Sequence, residues 1–255
     1  SDLAGKGARP VGYVMVCAFP SDLDESWVAK FAGGLAADQR EFAIALMGGD
    51  TTGTTGPLML TATAFGAISK GRLLARSGAK AGDIVAVSGT LGDGALGLDV
   101  QREQVTGLSM ADREFLIDRY RLPRPRVALG QALAAAQVGH AAMDVSDGLA
   151  ADLGHICRAS GVGAVVEWAD IPLSSAAQSA LSRRPELKTR ILGGGDDYEI
   201  LMTMPPSQAA SARQIGDRLG VPLTVIGRIV ASSGVTILDG SGAVIDLTQP
   251  GYQHF

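Results

Sequence analysis

The sequence predicts a mixed α/β protein of the α+β class, and three observations carry that expectation. Short apolar or β-branched runs alternate with helical stretches along the whole chain, which argues for sheet-and-helix layers rather than a bundle or a sandwich. The 34 glycines among 255 residues cluster at the junctions of those runs, as tight turns require. A 46% hydrophobic content with 19% charge is enough to bury a sizeable core, and the length suits one large domain or two ordinary ones.

The elements follow in order. VGYVMVCAF, residues 11–19, is a buried-strand pattern ended by Pro20. SDLDE then supplies a helix start, with Ser21 or Asp22 as cap and acids suited to the positive end of the helix dipole. The helix is expected over about 24–40, with Trp27, Phe31 and Leu35 on one face at i, i+4 spacing. FAIALM, residues 42–47, reads as a strand that runs out into the turn-like GGDTTGTTG. LMLTATAFGAI, residues 58–68, has strand composition. At Ser69 the character changes to a basic, glycine-punctuated connector, so domains are expected at 1–68 and 69–255.

In the second part DIVAVSG is a strand, and residues 92–103, 111–121 and 126–137 are helical. AAMDVSDG is a short strand entering a turn, followed by the helix LAADLGHICRAS. GAVVEWA is a strand, IPLSSAAQSALSRR holds a helix, and GGGDDYEILMTMP runs from glycines and acids into a strand. A helix over 207–219 precedes a closing set of strands in LTVIGRIV, VTILDG and AVIDL, with TVIGRI apolar enough to be central in a sheet.

Composition excludes several function classes. Aromatics are 5% of the chain, the net charge is −4 and no Lys/Arg run occurs, so no nucleic-acid surface is expected. No apolar run approaches the roughly 20 residues of a membrane helix, and no signal-peptide pattern appears. Cys17 and Cys157 both lie in apolar surroundings, so a cytoplasmic protein with buried thiols is expected rather than a disulfide scaffold. His140, His155 and His254 share no metal-ligand spacing and read as ordinary surface or helix residues.

GDGALG, residues 92–97, matches G-x-G-x-x-G after a strand. Asp93 would set a charge against a pyrophosphate there, and the following residues are helical. The pattern therefore reads as a tight strand–helix junction capped by Asp93. No Walker-type phosphate loop occurs, so metals must carry much of any phosphate charge.

Three glycine-flanked acid groups are candidates to hold such metals. They are Asp50 in GGDTT, Asp144 and Asp147 in MDVSDGL, and Asp196 with Asp197 in GGGDDYE. None has a Lys or Arg beside it in sequence. Carboxylates brought together repel unless a cation joins them, and hard oxygen ligands favour Mg²⁺. Each group also has a plain reading. Asp147 would cap the next helix, Asp50 would close an Asx turn, and Asp196 and Asp197 would be solvated turn residues.

Taken together, MGGDTT, KGRLLARSGAKAGD, SGTLGDGALGL, MDVSDGL, GGGDDYEIL and the terminal GYQHF resemble, in that order, the thiamine-monophosphate kinases of the aminoimidazole ribonucleotide synthetase superfamily. The resemblance implies a two-domain fold in which the first domains of two subunits share a barrel. It implies in-line phosphoryl transfer from ATP to thiamine monophosphate with several Mg²⁺ ions. It also implies metal ligands at Asp2, Asp50, Asp144 and Asp147, and ATP contacts at Gly49, Asp50, Arg76 and Ser146. Thiamine contacts are implied at Asp196 and at Tyr252 or Phe255. The family carries further acids ahead of SDLAGKGA, so the first domain is expected to be incomplete here and the homodimer to depend on that segment. GDTTGTTGP is about two residues longer than the family's loop, and Ala32 and Gly33 stand where a tyrosine is common. The competing expectations are a non-catalytic nucleotide-binding remnant and another ATP-dependent member of the superfamily.

Overall fold

The structure, a computed structural model, describes residues 1–247 and 251. It divides into two compact units: Ala8–Lys70, and a larger unit formed by Ser1–Gly7 with Gly71–Phe255.

In the smaller unit, β1 (Arg9–Pro20) is the centre of a three-stranded sheet ordered β2-β1-β3. It connects through α2 (Glu25–Glu41) to a parallel neighbour, β2 (Ala45–Thr54), and pairs antiparallel with β3 (Met59–Ala67). The cap of α2 is Asp24, whose carboxylate accepts from the Ser26 N–H at 2.8 Å. Trp27 and Phe31 stack with centroids 5.3 Å apart.

The expected loop GGDTTGT is in fact strand. Its pairing with β1 matches Val16 to Asp50 and Cys17 to Thr51. Glycine permits this: Gly48 and Gly49 adopt φ of 149° and 152°, and a Cβ on Gly49 would collide with the Met15 carbonyl oxygen. By sequence alone the glycines and threonines look like a turn, whereas the close approach of β1 makes glycine necessary in the ladder.

The larger unit holds a six-stranded sheet ordered β5-β7-β4-β8-β6-β9. Its strands are β4 (Ile84–Ser88), β5 (Ala141–Asp144), β6 (Gly163–Glu167), β7 (Ile200–Met204), β8 (Leu223–Val230) and β9 (Gly234–Leu238). All pairings are antiparallel except β6 with β9. β8 is central, as expected. AVIDL forms only an isolated bridge, Val244 to Leu238.

Both faces of this sheet are covered. Val85, Val87, Met143 and Leu201 pack with Leu149, Leu153 and Ile156 of α6 (Leu149–Ser160). The alternate residues Ala86, Ala142, Ile200 and Met202 pack with Leu129 and Leu133 of α5 (Val127–Ala136) and Ile215 of α9 (Ala209–Arg218). This is the period-two burial of a strand sandwiched between helical layers. A third apolar cluster joins α3 (Asp93–Gln101), α4 (Met110–Arg121), α7 (Ser175–Arg183) and α8 (Leu187–Gly193). The sequence pattern does not reveal α8, a seven-residue helix that follows closely on Pro185. The short helix α1 (Asp2–Gly5) lies against β5, where a Cβ on Gly5 would come 2.7 Å from the Asp144 nitrogen.

Candidate functional site

The register of β5 against β7 explains why two distant acidic motifs meet. Asp144 pairs with Ile200 at the end of both strands, so the residues after β5 face those before β7. Three backbone bonds extend the ladder: Val145 N–H to Glu199 O at 2.8 Å, Tyr198 N–H to Val145 O at 2.8 Å, and Asp196 N–H to Ser146 O at 3.0 Å. Glycine is required at this seam. A Cβ on Gly195 would collide with the Ser146 carbonyl oxygen, and Gly148, at φ 114°, lies against the Gly193 backbone. With α1 held on β5, Asp2 joins the same place.

The result is a cavity of about 760 Å³ whose lining includes Asp2, Asp144, Ser146, Asp147, Asp196 and Tyr198. Ala95, Leu98, Tyr120, Arg102, Arg190, the 193–195 glycines and Gly251 complete it. A second groove of about 730 Å³, floored by Ala150, Gly154, Cys157 and Val235, is largely apolar and lacks this convergence of acids. Cys157 there is buried and its thiol is pushed up to about 11 by burial, so it is a packing residue rather than a nucleophile.

The capping expectation for Asp147 gives way to a different arrangement. α6 has Gly148 as N-cap with no side-chain cap bond. Instead the buried Asp152 reaches back, and its Oδ2 accepts the N–H groups of Ser146, Asp147 and Gly148 at 3.0, 3.0 and 3.1 Å. Burial pushes the Asp152 carboxyl up to about 7; the N–H bonds pull it down, and the charges of Asp147 and Asp144 push it up. Its Oδ1 is buried without a partner. Asp147, Asp152 and His155 each bring one ligand-capable atom to within 4.8 Å of the others. Burial, with Arg158 and Arg76 next, holds His155 below the usual imidazole range, so it is neutral at pH 7. His155 lies on α6, as expected of a helix residue, and faces Asp147 and Asp152.

The two other plain readings also fail in part. Asp93 does not cap α3: Gly92 is the N-cap, and the buried Asp93 carboxylate takes hydroxyl bonds from Thr90 at 2.6 Å and Ser174 at 2.5 Å. The first N–H groups of α3 go to Asp197, which accepts from Gly92 at 2.7 Å and Gly94 at 3.1 Å. Asp197 is 2% exposed and thus no solvated turn residue, while Asp196 is half-buried.

Nor are the acids without cations, as their sequence neighbours suggested. Lys6 donates to the Ala142 carbonyl at 3.0 Å and interacts electrostatically with Asp144 and Asp2. Burial and then Arg76 hold the Lys6 ammonium below its usual range. Arg76 is exposed and acts on both Lys6 and His155. These partners come from remote segments, so local sequence could not reveal them.

Gly49 and Asp50 lie on β2 of the smaller unit, where Asp50 is exposed and its Oδ1 accepts from the Thr51 N–H at 2.9 Å. Tyr252 and Phe255 lie outside the described residues.

Comparison with known proteins identifies the family. Residues 1–68 match the family described as AIR synthase related protein, N-terminal domain, and residues 80–240 its C-terminal domain. A thiamine-monophosphate kinase of Caulobacter vibrioides is 43% identical over 92% of this chain and 66% of its own length. One of Escherichia coli K12 is 38% identical over the full chain and 77% of its own length. The chain thus spans about two thirds to three quarters of these relatives. The solved structure of AaThiL complexed with AMPPCP and TMP superimposes with a TM-score of 0.83 at 26% identity, covering 99% of this chain and 76% of that one.

Proposed function

This chain belongs to the thiamine-monophosphate kinase family of the AIR synthase related proteins, and we propose that it transfers the γ-phosphoryl group of ATP to thiamine monophosphate, yielding thiamine diphosphate and ADP. The observation that carries this reading is the meeting of Asp2, Asp144, Ser146, Asp147 and Asp196 around one cavity. A phosphate oxygen of the acceptor attacks the γ-phosphorus as the bond to the β–γ bridging oxygen breaks. Such a transfer asks chiefly for positioning and charge neutralisation.

The donor set fits Mg²⁺. Carboxylates of Asp2, Asp144 and Asp147 supply hard oxygens, and the orphaned Oδ1 of Asp152 is a buried acceptor in need of a partner. Asp2, Asp144 and Asp147 on the larger unit, and Asp50 on the smaller, would each serve as a ligand to Mg²⁺, and such ions would supply the charge that neutralises the phosphates. Arg76 and Lys6 would attract the ATP phosphates and the Ser146 hydroxyl would hydrogen-bond the nucleotide; on the smaller unit, Gly49 offers a backbone free of a side chain as an ATP contact. Asp196 holds the thiamine moiety of the acceptor. These roles suit a cytoplasmic enzyme of cofactor biosynthesis. No helix among the described residues is long and apolar enough to cross a membrane. A homodimer through the smaller unit is supported by its apolar sheet face, with Val16, Met59 and Phe65 exposed.

The test is direct. Purified protein with ATP, Mg²⁺ and thiamine monophosphate forms thiamine diphosphate, measured by chromatography. Asp144→Asn and Asp50→Asn each lower turnover at least 100-fold while melting within a few degrees of wild type. Wild-type turnover in either variant overturns the metal assignment. ATP-dependent thermal stabilisation without any ADP would instead mark a nucleotide-binding protein without catalysis.

A further inference from the structure

Residues 196–199 alternate in a way that the proposed chemistry does not by itself require. Asp196 and Tyr198 line the cavity, while Asp197 and Glu199 point into the protein and are buried. Both cavity-facing residues are in the left-handed region, at φ 69° for Asp196 and 53° for Tyr198. Neither is glycine, so each such conformation carries backbone strain. The strain persists because its surroundings over-determine it. Asp197 is fixed by the Gly92 and Gly94 N–H groups, and Glu199 by the Ser88 hydroxyl, Arg119 and Arg126. The backbone N–H groups of Asp196 and Tyr198 are tied to Ser146 and Val145.

One product of this strained turn is a bond between the two cavity-facing side chains. The Tyr198 hydroxyl donates to Asp196 Oδ1 at 3.0 Å, across the mouth of the left-handed pair. Among the described residues no other side chain is seen to donate to the Asp196 carboxylate, so this phenol is the hydrogen-bond donor seen to orient it. We propose that Tyr198 is a positioning residue for the acceptor substrate: by occupying Oδ1 it turns Oδ2 of Asp196 toward the thiamine moiety. This rests on the kinase reading, and on Asp196 as the thiamine-side carboxylate.

The phenol is well matched to that role. Burial, with Asp196, Asp144 and Asp147 beside it, holds the Tyr198 hydroxyl well above the usual tyrosine range, so it remains a donor throughout the working pH. Its neutrality leaves the negative charge of Asp196 intact for a cationic ring system, whereas a lysine or arginine here would cancel it.

The experiment compares wild type, Tyr198→Phe, Asp196→Asn and the double variant for KM of thiamine monophosphate, KM of ATP and kcat. Phe keeps the ring, so packing is unchanged and only the donor is lost. Tyr198→Phe is expected to raise the acceptor KM about tenfold, the effect of one hydrogen bond to a charged group. The KM of ATP is expected to stay within twofold and kcat within threefold. In the Asp196→Asn background the same change is expected to add nothing, because the phenol acts through that carboxylate. An unchanged acceptor KM overturns the proposal, as do full additivity of the two variants or a loss shared equally between both substrates. Absence of turnover in the wild type would sink the kinase reading instead. In that event a crystal structure of Tyr198→Phe decides: a reoriented Asp196 carboxylate supports the positioning role, and an unmoved one refutes it.

Discussion

Asp197 and Glu199 show that the shape of the cavity depends on carboxylates that do not line it. Glu199 is fully buried and takes bonds from the Ser88 hydroxyl, from Arg119 and from both forks of Arg126. Among the described residues Asp197 is bonded by N–H groups and by no cation, and burial pushes its carboxyl up to about 8, the bonds from Gly92 and Gly94 offsetting part of the rise. The sign of the consequence follows from linkage. Below about pH 4 both folded and unfolded states carry the proton. Between the ordinary value of 3.8 and about 8 the unfolded chain releases it while the folded chain retains it. Stability from this group is therefore present in acid and is lost as pH rises through that window. Asp152, pushed up to about 7, acts in the same direction. Chemical denaturation at pH 5 and pH 8 checks this: the wild-type midpoint falls across the interval, and in Asp197→Asn, which mimics the neutral acid, it falls less. An equal or steeper fall in the variant contradicts a protonated Asp197.

The elements that position the site were legible from sequence where periodicity was strong, and were missed where tertiary contact set the geometry. The strands DIVAVSG and GAVVEWA and the helix LAADLGHICRAS carry their patterns locally, and β4, β6 and α6 follow them. β2 does not, because the glycines that look like a turn are in the ladder only through the approach of Met15. Asp144, Asp147, Asp196 and Asp197 were visible as glycine-flanked groups at strand ends. Their partners, the buried Asp152 and the half-buried Tyr198, were not, since nothing in a single sequence says that β5 and β7 are neighbours. Glycines separate the two kinds of constraint, and substitution tests it. Gly195→Ala drives a methyl into the Ser146 carbonyl at the β5–β7 seam, so a loss of about 1–3 kcal/mol is expected, together with a raised acceptor KM. Gly33→Ala meets nothing within 4 Å in the middle of α2 and is expected to stabilise by about 0.5–1 kcal/mol. Thermal or urea unfolding of the two variants should move in opposite directions. If both are neutral, the seam is looser than the distances imply.

At the scale of the whole molecule, the two units differ in how they bury themselves. The larger unit has three apolar clusters and covers both faces of its sheet. In the smaller unit β2 and β3 are exposed over almost their entire length, and α2 contributes no buried residue. Register places Val16, Met59 and Phe65 on one face of its sheet: Val16 pairs with Thr61, Ala18 with Met59 and Gly12 with Phe65, and strand residues two apart share a face. These three are 45%, 62% and 45% exposed, an apolar surface of the kind that marks an interaction site. Because the same face is present on every copy, two-fold pairing of like with like is the simplest closed assembly. A charge at the centre of such a face is incompatible with its burial, since an unpaired carboxylate there costs several kcal/mol. Phe65→Asp is therefore expected to shift the protein from dimer to monomer in light scattering coupled to size exclusion, with far-ultraviolet circular dichroism unchanged. Acceptor binding measured on the same samples separates loss of the dimer from damage to the cavity of the larger unit. A wild type that is already monomeric at micromolar concentration, or a Phe65→Asp variant that remains dimeric, assigns the apolar face to some other contact.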